Sequence, residues 1–88
     1  MISLEEEAGR VGAWEGKIAQ WERLHTNLRL RVIIERGMVR VTGVRKANPL
    51  RDLHDQSAER VDDIINVRNA KLDVVSRMID RVVRELTS

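Results

Sequence analysis

Residues 28–45 read Leu28-Arg29-Leu30-Arg31-Val32-Ile33-Ile34-Glu35-Arg36-Gly37-Met38-Val39-Arg40-Val41-Thr42-Gly43-Val44-Arg45. On both sides of Arg36-Gly37 apolar residues recur at every second position, the period of a strand. With Arg36-Gly37 as a two-residue loop, Ile34 faces Val39, Val32 faces Val41 and Leu30 faces Gly43. One face of the hairpin is then apolar, and Arg31 stands opposite Thr42. Arginine is a poor first residue for a primed turn, so a three-residue loop with Gly37 in the left-handed region is an alternative. A helix running on from the N-terminal segment to Glu35 is the competing reading. Two strands alone are marginal, so the hairpin must lie on a helix or pair with strands of another chain.

Upstream, Leu4, Val11, Trp14, Ile18, Trp21, Leu28 and Val32 alternate three and four apart, with Glu7 and His25 in the two polar slots. This is the seam of a packed helix over residues 4–27. Ser3 and Glu6 read as a capping box, and Glu5 to Glu7 suit the positive end of the helix dipole. Ala8, Gly12 and Gly16 form a small-residue strip that would admit a close neighbour. Glycine is poor helix material, and a helix proper starting near Ala13 is the alternative.

Downstream, residues 46–49 read as a connector, because Asn48 before Pro49 resists the helical region. From Leu50 to Leu86 there is neither Gly nor Pro. The positions Val61, Ile65, Arg68, Leu72, Val75, Ile79, Val82 and Leu86 alternate four and three, which predicts one long helix over 50–86. Such a helix would be roughly 55 Å long against roughly 36 Å for the first, at 1.5 Å per residue. The shorter cannot cover the longer, and the bare apolar stripe calls for a partner helix. A bend near Asn66 or Asn69, folding the second helix back into a three-helix monomer, is the alternative. Arg68 would either fix register in an oligomer core or reach out of the seam.

The expected architecture is therefore mainly α: helix, β-hairpin and long C-terminal helix in one domain over 1–88, assembled as an oligomeric helical bundle or coiled coil. The expected oligomer interface comprises Trp14, Ile18, Trp21, Val61, Ile65, Arg68, Leu72, Val75, Ile79, Val82 and Leu86. Composition agrees with the need for partners: 88 residues, without cysteine, support only a marginal core unless something staples it. The two histidines have no ligand cluster around them, so no metal or other cofactor is expected. His25 reads as a core histidine or, less simply, a pH switch.

Net charge is +2 but uneven, with residues 28–51 holding seven bases and one acid. Arg29, Arg31, Arg36, Arg40, Arg45, Lys46 and Arg51 make a basic island suited to an anion or to acidic faces of another subunit. Phe and Tyr are absent, and both tryptophans lie outside the island, so stacking platforms for single-stranded nucleic acid are missing from it. No apolar stretch approaches the roughly 20 residues of a membrane span. The acidic start, Met1 to Glu7, is unlike a secretory signal, and cytoplasmic synthesis is expected.

No phosphate loop, zinc spacing or nucleophile motif occurs. Beyond the N-terminal glutamates, Asp62-Asp63 and His54-Asp55 stand out as a tight acid pair and a tight acid/base pair, and on a helix neighbours diverge, so neither makes a dyad. Glu35-Arg36, Gly43, Lys46, Arg51-Asp52, Leu72-Asp73 and Ser76-Arg77 loosely resemble the pattern of small all-helical chorismate mutases. That resemblance implies a helical segment over 28–46, with Arg36 and Lys46 gripping substrate carboxylates and ether oxygen. The reading adopted from the residues is a non-enzymatic, homo-oligomeric assembly, adaptor or structural subunit that also meets other protein subunits, for example in a virion or secretion apparatus. A nucleic-acid-binding oligomer using the basic island is the alternative.

Overall fold

A computed structural model describes residues 4–47 and 58–88, with side chains from Val11 onward. The Ser3 cap, the Asn48-Pro49 connector, Arg51 and His54-Asp55 lie outside the described residues. The elements are α1 (Leu4–Leu24), β1 (Leu28–Glu35), β2 (Met38–Arg45), β3 (Glu59–Asn66), a 3-10 turn (Val67–Asn69) and α2 (Leu72–Thr87). The three strands form one antiparallel sheet in the order β1-β2-β3. The chain is α+β, and the expected mainly helical bundle or coiled coil is overturned.

The hairpin register is the one implied by the alternation: Ile34 pairs with Val39, Val32 with Val41, Leu30 with Gly43 and Arg31 with Thr42. Both loop residues have positive φ, Arg36 at 52° and Gly37 at 75°, as a primed two-residue turn requires.

Among its described residues the expected helix over 50–86 is instead a strand, a 3-10 turn and a shorter helix. Its first described part is a strand, because Val61, Ile64 and Ile65 are β-branched and pack well on a pleated surface. The spacing from Val61 to Ile65 fits a helix repeat of four and a strand repeat of two equally, and the open edge of β2 decides between them. Val61 lies opposite Gly43, Asp63 opposite Val41 and Ile65 opposite Val39. Asn66 then ends the strand, its side-chain oxygen accepting from the Arg68 amide at 2.9 Å. The Val67 amide donates to the Gly37 carbonyl at 2.8 Å, which ties the 3-10 turn to the hairpin loop.

The helices cover one face of the sheet in a two-layer arrangement. Helix α2 buries Val75, Met78, Ile79, Val82, Val83 and Leu86, a wide stripe at three-four spacing. Helix α1 buries Trp14 and Ile18, with Val11 and Trp21 partly covered. From the sheet come Leu28, Leu30, Val39 and Val41. Two indoles fasten the helices together. Trp14 Nε1 donates to the Leu72 carbonyl, and Trp21 Nε1 donates to Asp80 Oδ1, both at 3.2 Å. Asp80 also takes Lys17 at 3.0 Å. The strip at Gly12 and Gly16 meets nothing within 4 Å, so the close neighbour expected there is absent among the described residues.

Candidate functional site

The outer face of the sheet follows from the strand period. With Leu28, Leu30, Val32, Val39, Val41 and Val61 turned toward the helices, the residues between them point the other way. In ladder order from the hairpin loop, the outer rows are Glu35-Met38-Asn66, Ile33-Arg40-Ile64, Arg31-Thr42-Asp62 and Arg29-Val44-Arg60. Neither helix covers this face. Ile64 and Met38 are exposed, at 48% and 38%, beside the half-buried Ile33. A shallow depression of about 320 Å³ lies among Ile33, Glu35, Arg36, Met38, Arg40 and Ile64.

The electrostatics of the face are those of four guanidiniums and two carboxylates. Arg60 pairs with Asp62 on its own strand at 3.3 Å. Arg29 donates to the carbonyls of Thr26 and Leu28 at 3.2 and 2.8 Å. Among the described residues, Arg31 and Arg40 have no carboxylate within 4 Å. The Thr42 hydroxyl oxygen is buried at the centre of the face without a well-formed hydrogen bond among the described residues. It stands opposite Asp62 and is the main influence holding that carboxyl below its ordinary value, assisted by the Arg60 guanidinium and opposed by desolvation.

The basic island is thus divided. Arg29, Arg31 and Arg40 share the open face, Arg36 sits in the hairpin loop, and Arg45 is engaged by Glu59 at 2.6 Å. Lys46 follows β2 with its amide bonded to the Asn27 carbonyl at 3.0 Å. Arg60, which β3 adds to the face, was missed because the sequence put residue 60 on a helix. Ile64 was missed for the same reason, and only β3 brings it beside Ile33 and Met38 of the hairpin to make an apolar group on this face.

Most of the residues expected at an oligomer interface serve the chain's own core. Trp14, Ile18, Val75, Ile79, Val82 and Leu86 are buried in the chain's own core. Trp21, Val61 and Ile65 pack against that core, and Arg68 and Leu72 are exposed near the start of α2. The bare stripe from which the partner helix was argued is therefore covered within the chain.

His25 stacks on Trp21, with ring centroids 5.9 Å apart. Among the described residues no group of three His, Cys, Asp or Glu could hold a metal ion, and no helix is long and apolar enough to cross a membrane. With residues 28–45 in strands, the helical segment that a likeness to chorismate mutases requires is absent. Comparison with known proteins finds no matching family model, no matching curated protein and no matching solved structure, so the functional reading rests on the chain's own geometry.

Proposed function

We propose that the chain is a non-enzymatic assembly subunit that joins copies of itself and other protein subunits through the sheet surface its helices leave bare. The observation that carries this reading is the composition of that surface. Exposed Ile64 and Met38 flank Arg40 on this face, and arginine and methionine among aliphatic residues are the mixture enriched where proteins meet. An antiparallel sheet commonly turns one face to water, and such a face is then largely polar; here apolar side chains are interleaved with the arginines. Light scattering over a concentration series tests the reading. A mass that rises to multiples of one chain, and is lowered by Ile64→Asp, supports it. A single-chain mass at every concentration removes it, and equal masses for wild type and variant remove the open face from it.

A second reading, binding of nucleic acid, is favoured by Arg31 and Arg40, which are free of carboxylate partners among the described residues. The face carries no aromatic side chain, so such binding would be to the phosphate backbone. Affinity for a labelled duplex would then fall with salt at a logarithmic slope of about −0.9 for each phosphate contacted, and Arg31→Glu with Arg40→Glu would flatten it.

A further inference from the structure

We infer that two copies of the chain join through the free edges of their β1 strands to form one six-stranded antiparallel sheet. The inference deepens the assembly reading and rests on it. Among the described residues β1 and β3 are both open edges, but they differ in chemistry. Strand β3 carries Asp62 and Asp63 side by side, and Asp63 points into the helix layer, where Arg81 takes it at 3.3 Å. An inward charge on an edge strand obstructs docking of a further strand. Strand β1 has no such guard, because its inward residues Leu28, Leu30, Val32 and Ile34 are all apolar. Their cover weakens toward the loop, from Leu28 at 0% and Leu30 at 9% exposed to Ile34 at 37%. The unguarded edge is also the one with apolar surface left to bury.

Backbone parity fits. The two-residue loop makes Glu35 and Met38 a bonded pair, and the Lys46 amide donates to the Asn27 carbonyl at the far end of the ladder. Odd-numbered residues of β1 therefore bond to β2, and Leu30, Val32 and Ile34 turn their N–H and C=O groups to the open edge. The Arg29 guanidinium leans over that edge to reach the Leu28 carbonyl.

Charge selects the register. A two-fold axis at Val32 sets Leu30 opposite the partner subunit's Ile34 and, twice over, Arg29 opposite the partner subunit's Glu35. An axis at Arg31 would put two guanidiniums face to face, which disfavours it. An axis at Ile33 would pair only residues 31–35, against residues 29–35 for the axis at Val32.

Charge reversal in an Ile64→Asp background, which silences the open face, tests the interface by light scattering. The background protein should have twice the 10.2 kDa chain mass. Adding Arg29→Glu or Glu35→Arg should halve it, and mixing those two variants in equal amounts should restore it, because each supplies the charge the other lacks. A single-chain mass before any reversal, a mass indifferent to the reversals, or growth beyond two chains would overturn the inference. Wild-type association lost by Ile64→Asp alone leaves the assembly reading standing without this edge. A wild-type protein that never associates removes both.

Discussion

Gly43 lies directly beneath Val82: a methyl group at residue 43 would fall inside contact distance of Val82 Cγ1 and come within 2.8 Å of Leu86 Cδ1 and 3.0 Å of Leu30 Cδ2. The central strand accepts α2 this closely only because the residue between Val41 and Arg45 on the inner face has no side chain. Gly43→Ala should therefore destabilise the fold by about 1–3 kcal/mol, the range for overpacking a filled core. Gly16→Ala, on the open side of α1 with nothing within 4 Å, should instead stabilise by up to about 1 kcal/mol. Chemical denaturation of the two variants measures both signs.

The loop offers a paired prediction. Gly37 at φ 75° and Arg36 at φ 52° both occupy the left-handed region, which β-branched residues adopt only under strain. Gly37→Val should cost more than about 1 kcal/mol. Arg36→Asn should stabilise by a few tenths of a kcal/mol, because asparagine tolerates that region best among residues with a side chain. A stabilised Gly37→Val protein would contradict the hairpin.

Val75→Asp and Ile79→Asp separate a core from a subunit interface. Both side chains are wholly buried within one chain, at 0% exposed. A buried unpaired carboxylate costs several kcal/mol, a large part of ordinary domain stability. The variants should lose near-ultraviolet dichroism and cooperative unfolding. A folded variant that differed from wild type only in mass would return these residues to an interface.

Asp62 supplies a pH dependence with a definite sign. Its carboxyl titrates below the ordinary 3.8 in the folded chain. The stability it contributes is therefore present above the unfolded value and is lost as pH falls through the lower folded one. The side chain is about one third open to solvent, at 34%, so the contribution is small and salt-sensitive. Thr42→Val removes the principal cause and should raise the Asp62 midpoint toward 3.8 in a carboxyl NMR titration. An unmoved midpoint would assign the shift to the guanidiniums of Arg60 and Arg40.

The two regular periods in this chain differ in how much they decide locally. From Leu28 to Arg45 the inward apolar residues keep a two-residue period in spite of Ile33 in an outward slot, and the turn residues lie in the middle, so strand, loop and register follow from neighbours along the sequence. The same is true of the stripe Val75-Ile79-Val82-Leu86, which has no two-residue reading. Residues 59–69 are different. Val61 and Ile65 satisfy both periods, and Asp63 in the inward row looks like a fault in a strand until Arg81 of α2 is seen beside it at 3.3 Å.

The amino-acid sequence by itself favoured the hairpin, implied its register and marked the apolar face of the last helix. It did so because those patterns are set by residues within a few positions of one another. Tertiary structure alone decided that residues 59–66 are a strand, since that choice depends on the unfilled edge of β2, whose paired residues are distant in the chain. The same decision carried Arg60 and Ile64 onto the open face and set Val61 and Ile65 against the core. A strand's backbone groups are satisfied by another strand rather than within itself, so its existence is a property of the assembled sheet.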